Sequence, residues 1–590
     1  MNRKGIFALL VFILVVVHFG FLLVFFEPAI STPDANSYFA QARLIAQTGK
    51  THFVPESPLQ YIGIHWNHTK DNRYYCTHAP GFSFVLAIVF KLFGPTAALL
   101  TSPIMASLSL LGLFLLCRLW VGDGWGLLAV ALMAVNPFAN EHALFGDAHT
   151  AVSFFLVWAL FFLARWAKTY SLWCALAAGF CIGMIPTIRY PELVLCPALG
   201  IFVLFHYKND KAFWSSVFAG AIGAAIPIAA LCLRNQIAYG GFWKTGYAIA
   251  IGQKTFGWNY FVDSFLPFLI MLLANGCGLV FVTGIIGIAI LSVQRDTWRC
   301  GALFAMLVLP ITLLYMSYYW GADPQSMRYL LPTFYIYTIA SVWLLSVVCN
   351  NRYPSALAAS IVLLLITIVW GLPQSVWAMQ HLKNNNAVLA KITDVVEKHV
   401  EPGSIIISNE AINQHLDFLG SWRLVAPFIL NAQRHPVARM LPPGPKMPAP
   451  HGLRAPQELR NVEARLKYEN LTGEELFTVF YQDLLQWAGG NRMIYWLADE
   501  RQIKAYQSVF LQHGELVTVD KIELPAAEST IGGKFIGRGP PAPEMRKPPP
   551  PEEIEGEPMP FPPAPHGPNR IFDLVLDGKP LYLLEWRRSS

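Results

Sequence analysis

Long apolar runs almost free of charge recur through the first two-thirds of this chain, and they constrain its fold more than any motif does. A helix crossing the hydrocarbon layer of a bilayer needs about 20 apolar residues. By that measure residues 5 to 26, 95 to 117, 124 to 140, 148 to 166, 171 to 188, 190 to 206, 213 to 234, 265 to 293, 301 to 319, 329 to 349 and 355 to 376 read as spans, eleven in all. Backbone polar groups inside lipid must be satisfied within the segment, so each run is expected to be helical. The first run follows Asn2-Arg3-Lys4 and is longer than the ~7–15-residue core of a secretory signal, so it reads as a membrane span. The expected fold class is mainly α: a polytopic membrane helix bundle of about 11 transmembrane helices.

Charge divides the chain. Residues 1 to 376 hold 20 Lys/Arg and 12 Asp/Glu, a net of +8, whereas residues 377 to 590 hold 23 and 25, a net of −2. The overall balance of 54% apolar and 14% charged residues excludes a wholly soluble enzyme, but the last third on its own is of soluble composition. The basic residues of the first part lie between apolar runs and form no patch, which argues against a nucleic-acid partner. The nine cysteines include no CxxC pair, so neither a disulfide framework nor a zinc site is expected.

Orientation follows from the positive-inside rule. With Arg3-Lys4 in the cytoplasm, the cytoplasmic turns carry Arg118, Arg165 and Lys168, Lys208 and Lys211, Arg295 and Arg299, and Arg352. The opposite turn, residues 138 to 147, has no Lys or Arg and holds Glu141 and Asp147. The expectation is a multi-pass cell-membrane protein with a cytoplasmic N-terminus and an extracytoplasmic C-terminal domain.

Residues 1–376 are expected to be one membrane domain. Its outer loop 27–94 would carry two interfacial helices, the amphipathic Ser37 to Thr48 and the short apolar Phe82 to Phe93. A second outer loop, 235 to 264, is rich in Trp and Tyr of the kind that anchors at membrane interfaces. Residues 377–539 alternate helix and strand signals and read as an extracytoplasmic α/β domain: a helix Ala387 to Val400, a strand from Ser404 to Ser408, a helix opened by a Thr472/Glu475 capping box, an apolar Met493 to Leu497, a helix Asp499 to His513 and an alternating run Leu516 to Leu524. Residues 540–569 form a proline-rich linker, with thirteen prolines between 540 and 568, and 570–590 read as a β-hairpin, Ile571 to Leu576 with Leu581 to Trp586. Glu410, His415 and Asp417 read as an ordinary surface-helix pattern.

Ionisable residues inside spans usually mark transport pathways, yet here the span interiors hold almost none beyond His18, which reads as a tolerated polar residue. The candidate chemistry sits at the outer ends. Asp34 precedes the first amphipathic helix, where it could be a helix N-cap or a general base. Asp147 precedes another helix, with the same two readings. Arg189, in Pro186-Thr187-Ile188-Arg189-Tyr190-Pro191-Glu192, could snorkel from a span end or bind an anion.

Taken in order these segments resemble GT-C glycosyltransferases, in the branch of protein O-mannosyltransferases and the lipid A aminoarabinose transferase. The resemblance rests on Pro33-Asp34 with Tyr38 after the first span, His78-Ala79-Pro80-Gly81-Phe82 leading to Lys91-Leu92-Phe93-Gly94, Asp147 before a span, Arg189-Tyr190-Pro191-Glu192, Asn235 to Tyr247, and Arg328-Tyr329-Leu330-Leu331-Pro332. It covers residues 1 to about 376. Three departures bear on the branch and the sugar: Ala35 stands where relatives often have Glu, Ser37 where an Arg often precedes the Tyr, and His78-Ala79-Pro80 where some branches have Lys-Pro-Pro.

The resemblance implies a membrane enzyme that moves a sugar from a polyprenyl-phosphate carrier, with inversion, to a lipid, glycan or protein acceptor at the extracytoplasmic face. It implies Asp34 as general base, with Asp147 orienting the acceptor or sharing that role, and Tyr38, His78, Arg189, Glu192, Tyr247 and Arg328 as substrate-binding residues, Arg189 holding the carrier phosphate. It leaves cofactors open, with Asp34 and Asp147 as ligands if a divalent metal ion is used. The competing classes are a lipid-linked sugar transporter and an inactive GT-C-like scaffold. Against the transporter stand the scarcity of mid-span charges and the lack of an evident internal repeat.

Overall fold

The computed structural model describes residues 3–69, 72–250, 256–318, 324–349, 353–426, 461–468, 471, 473–524 and 580–588. They group into two units, a membrane unit of residues 3–26 and 78–383 and a second unit of 27–77 with 384 onwards. The proline-rich linker and the first half of the expected hairpin lie outside the described residues.

All eleven expected runs are helical in the membrane unit, but they do not all meet the length of a span. Among the described residues seven helices are long and apolar enough to cross alone: Gly5–Phe25, Thr101–Trp120, His149–Thr169, Lys211–Tyr239, Trp298–Met316, Ser326–Val348 and Pro354–His399. Two more runs are bent pairs, Asp123–Ala134 with Pro137–Leu144 at 63° and Trp258–Gly276 with Leu279–Val293 at 117°. The other two, Leu172–Ile188 and Tyr190–Phe205, are apolar but shorter than about 20 residues.

The breaks have local causes. Pro137 cannot continue the preceding helix and starts a new one, capped by Asn136, whose side chain accepts from Ala139 N at 2.9 Å. The second break follows a π-helical turn, Leu272–Gly276, and Gly278 in the left-handed region. A break at membrane depth frees backbone carbonyls that lipid cannot satisfy. Here Asn136 Nδ2 donates to Gly276 O at 2.8 Å and Trp370 Nε1 to Ala274 O at 3.2 Å. The helices containing Gly179 and Gly220 approach so closely that a Cβ on Gly179 would meet the Gly220 carbonyl at 1.9 Å, the small-residue contact typical of membrane helices. His18 is a polar tie: its ring meets Ser107 Oγ at 2.9 Å and Asn140 Oδ1 at 3.0 Å, and Asn140 reaches Ser375 Oγ at 2.8 Å, linking helices distant in sequence.

The second unit is built on a five-stranded sheet. Its order is Arg423–Leu424, Ile405–Ile407, Ile494–Asp499, Leu581–Arg588 and Gly514–Ile522, the first three parallel and the last two joined antiparallel. Helices Gly473–Ala488 and Glu500–Leu511 fall where capping signals place them, the second with a capping box of Asp499 and Gln502. The α/β reading therefore holds. Of the hairpin expected at 570–590 only the strand Leu581–Arg588 lies within the described residues, between Ile494–Asp499 and Gly514–Ile522. The helix expected at Ala387 to Val400 is the continuation of Tyr353–His399.

Residues 27–77 pack with this sheet instead of standing alone as a membrane-surface loop. Helix Pro33–Thr48 buries Ala35 through Ala42, and Ala40, Phe53, Tyr61, Trp66 and Tyr74 share one core with Val388, Ile392, Ile406, Leu416 and Phe418. Tyr61 N donates to Leu424 O at 2.8 Å and Ala426 N to Leu59 O at 2.8 Å, extending the sheet edge. Asn36 Nδ2 bonds the carbonyls of Gln414 and Leu416, and Arg43 pairs with Asp417. His415 and Asp417, expected on a surface helix, are therefore buried.

Candidate active site

In the membrane unit the turn before His149, the segment after Ile188 and the segment around Arg328 bring four of the expected residues, three of them buried, into one network. Leu172–Ile188 ends at Arg189 because Pro191 lies two residues on, and the chain continues as a tight 3-10 turn, Tyr190–Leu195. That turn puts Glu192 beneath Arg189. Arg189 Nε donates to Glu192 Oε1 at 2.7 Å, Nη1 lies 3.3 Å from His149 Nε2, and Nη2 donates to Tyr315 OH at 3.4 Å. Tyr315 OH in turn donates to Glu192 Oε1 at 3.1 Å. Its ring stacks on Tyr329 at 4.4 Å between centroids, and the Arg189 and Arg328 guanidinium groups each lie 5.2 Å from the Tyr329 centroid. Arg189 is 6% exposed, so it does not snorkel to water.

Asp147 belongs to the same neighbourhood through His149. Its Oδ1 accepts from His149 N, the first residue of His149–Thr169, at 3.1 Å, while Oδ2 meets His142 Nδ1 at 3.1 Å; the N-cap position itself is Ala148. One oxygen of this carboxylate thus meets the backbone at the helix start and the other an imidazole.

A second cluster holds His78 and Tyr247, with His78 Nδ1 2.9 Å from Tyr247 OH. Tyr247 meets the Tyr190 ring edge-on at 5.8 Å, and Tyr190 OH donates to Asn235 Oδ1 at 3.0 Å. Arg234 Nη1 reaches that oxygen at 3.2 Å, and its guanidinium lies 4.8 Å from the Tyr239 centroid. Gly81 lets the loop after His78 close on the segment before Arg189: a Cβ there would lie 2.6 Å from Thr187 O.

In the second unit Asp34 is not the cap of its helix. Thr32 is, its Oγ1 accepting from Ala35 N at 3.1 Å. Asp34, one position inside the helix, instead pairs with His65 Nε2 at 2.9 Å. Tyr38 is buried in this unit. Both aspartates thus sit beside an imidazole, and carboxylate with imidazole is a donor set a divalent ion accepts.

Sequence reasoning missed His65, His142, His149, Tyr315, Tyr329 and Arg234 as site residues. The histidines were legible only as neighbours of the aspartates, and Arg234 as a base near a span end. Tyr315, alone in an apolar helix, carries no sequence signal.

Comparison with known proteins bears on the fold. Residues 77–232 match the family model of dolichyl-phosphate-mannose-protein mannosyltransferases. ArnT from Cupriavidus metallidurans, solved bound to undecaprenyl phosphate, superposes with a TM-score of 0.55 over 88% of this chain and 97% of that one, at 13% identity. The chain has the GT-C fold. The resemblance expected from the ordered motifs is borne out, and the chain is a multi-pass membrane protein of that architecture. The Archaeoglobus fulgidus oligosaccharyltransferase in its apo form aligns over 86% of this chain and 71% of its own, at 13% identity and a TM-score of 0.48. Arabinofuranosyltransferase AftD from Mycobacteria aligns over 72% and 32%, at 14% identity and a TM-score of 0.42. The matched family is one of mannosyltransferases. No match to the chain is found among curated proteins.

Proposed function

We propose that this protein is an integral-membrane glycosyltransferase that takes a sugar from a polyprenyl-phosphate carrier and transfers it, with inversion at the anomeric carbon, to an acceptor at the extracytoplasmic face. The observation that carries the reading is the network of buried Asp147, Arg189 and Glu192 with half-buried Arg328 in a membrane unit of GT-C fold. A donor with a lipid tail keeps that tail in the bilayer while its phosphate needs cationic, hydrogen-bonding partners. Arginine suits the phosphate because its planar fork donates parallel hydrogen bonds. Arg189 takes this role, held in orientation by Glu192 and Tyr315, with Arg328 and His78 assisting. The ArnT relative was solved with undecaprenyl phosphate, which is the kind of leaving group this reaction releases.

The acceptor hydroxyl is a weak nucleophile, so a carboxylate must take its proton as the new bond to the anomeric carbon forms and the bond from that carbon to the phosphate oxygen breaks. Asp34 is that base. Its support is that Thr32 caps the helix, so capping does not account for the carboxylate. Asp147 orients the acceptor. Arg3-Lys4 and the basic short turns set the N-terminus in the cytoplasm and the second unit outside.

The test is mass spectrometry of the lipid-linked sugars that accumulate when the gene is deleted, which names the donor. Complementation with the wild-type protein should clear them. Asp34→Asn, expressed at the wild-type level, should clear them at least about a hundredfold more slowly, the usual scale of general-base loss. Clearance at the wild-type rate by that variant would overturn the assignment, and accumulation of no lipid-linked sugar would overturn the donor class.

A further inference from the structure

We infer that the end of the membrane unit away from Arg189 binds the head group of an anionic phospholipid, with Lys208 as its contact and Arg165, Lys168 and Lys211 around it. The inference is independent of the transferase reading. Helix Leu172–Ile188 starts beside this place and ends at Arg189, and its 17 residues set the two about 25 Å apart.

The first observation is charge. Arg165 and Lys168 lie toward the end of His149–Thr169, and Lys208 and Lys211 lie just before and at the start of Lys211–Tyr239. The two helix ends are tied together: Trp166 Nε1 donates to Ser216 Oγ at 2.8 Å, and Tyr170 OH donates to His206 O at 3.2 Å. All four bases are exposed, and among the described residues none of the four pairs with a carboxylate. Lys168 Nζ donates to Leu119 O at 2.7 Å, a neutral acceptor that leaves its charge unmatched. Asp210, the acid between Lys208 and Lys211, caps the helix with Oδ1 accepting from Phe213 N at 2.7 Å. Arg118, beside Leu119, already has Asp123 at 2.8 Å. Four gathered bases of one sign favour a ligand that brings negative charge.

The second observation is a strained residue. Tyr170 closes His149–Thr169 in the left-handed region, at φ 49° and ψ 28°, with its N–H donating to Trp166 O at 2.7 Å. Helices usually close this way on glycine or asparagine, because a Cβ is crowded there. The tyrosine ring held in that position carries Lys208, whose Nζ lies 4.7 Å from the ring centroid, and is backed by Trp166 at 5.5 Å and Phe213 at 6.2 Å. A lysine on a flexible four-carbon stem is thereby fixed in place. The general bias of membrane proteins toward basic turns requires no such platform.

Depth names the ligand class. Trp173 is 79% exposed, and Tyr207 and Trp214 are each 54% exposed, aromatic side chains at the ends of apolar helices as the membrane–water boundary carries them. A cation at that level meets lipid phosphates, and basic pockets between helix ends take anionic head groups.

The test is native mass spectrometry of the full-length protein in detergent, titrated with phosphatidylglycerol or with phosphatidylcholine of the same acyl chains. Phosphatidylglycerol should bind at least about tenfold tighter, since only it brings net negative charge to the four bases. Lys208→Gln should weaken it about fivefold, the scale of one basic residue near an anionic surface. Lys208→Arg keeps the charge and the stacking and should stay within about twofold of wild type. Tyr170→Asn preserves a left-handed cap but removes the platform, and should weaken binding as Lys208→Gln does. Arg295→Ala, which removes an exposed base of another turn, should change it by less than about twofold. No preference for phosphatidylglycerol, wild-type affinity in Lys208→Gln or Tyr170→Asn, or an equal loss in Arg295→Ala would overturn the inference. Displacement of the lipid by excess inorganic phosphate would assign the site to a soluble phosphate compound and would overturn it too.

Discussion

Arg189 and Glu192, three residues apart across the end of a membrane helix, form a buried ion pair with Nε 2.7 Å from Oε1. The pair binds the guanidinium in one orientation, and its removal should separate structure from chemistry. Glu192→Ala strands a buried charge and should destabilise the protein by about 3–5 kcal/mol. Arg189→Met with Glu192→Leu should restore thermal stability and leave transfer undetectable. Arg189→Lys keeps the charge but not the planar fork, and transfer should fall roughly ten- to hundredfold, the worth of a charge-assisted hydrogen bond. Thermal unfolding of detergent-purified protein and transfer rates on the same preparations check all three.

Acid should weaken the second unit through His415. This imidazole is buried with Nδ1 2.7 Å from the Ile30 carbonyl, and because a carbonyl only accepts, Nδ1 carries the hydrogen. Burial holds its pKa below the ordinary 6.5, and the bond to Ile30 opposes that in part. The folded state prefers the neutral ring while the unfolded chain protonates near 6.5, so the contribution is whole above 6.5 and is lost as pH falls through the depressed folded value. Asp417 has the opposite sign: burial raises its carboxyl above the ordinary 3.8 against the pull of Arg43, so its stabilisation belongs to the protonated form and is lost as pH rises through the raised value. The melting temperature should drop between pH 7.5 and about 5.5, and His415→Asn, which keeps a donor near Nδ1, should flatten that drop.

Removing the last strand should cost more than removing a tail. Leu581–Arg588 pairs with Ile494–Asp499 on one side and Gly514–Ile522 on the other, and Leu583 is fully buried. A stop codon at Leu581 opens two unpaired strand edges in the middle of the sheet. Limited proteolysis should then cleave the second unit rapidly, whereas a stop at Ser589 should leave it as resistant as wild type.

How much of this was legible in the chain depended on range. Apolar runs, capping boxes and the Pro191 helix stop are local, and helices Gly473–Ala488 and Glu500–Leu511 begin where local signals put them. The order of Asp34, His78, Asp147, Arg189 and Arg328 was also readable, and with it the GT-C resemblance. The partners of these residues were not. His65 is thirty-one positions from Asp34 and Tyr315 is 126 from Arg189, and nothing in a one-dimensional pattern records a contact closed over such a loop.

The sequence by itself determined that this is a membrane protein with a soluble C-terminal part, because transfer from water to lipid is an additive property of side chains and needs no knowledge of who touches whom. It left Asp34, Asp147 and Arg189 each with a structural and a chemical reading of comparable weight. Tertiary structure decided among the structural ones: Thr32 holds the cap that Asp34 could have held, Asp147 divides its oxygens between His149 N and the His142 ring, and Arg189 is buried against Glu192 where a lone arginine would have reached for water. It also joined residues 27–77 to the far end of the chain, since their apolar faces are completed only by Val388, Ile406 and Phe418. Such pairings depend on the packing of whole surfaces, and that is information no single segment contains.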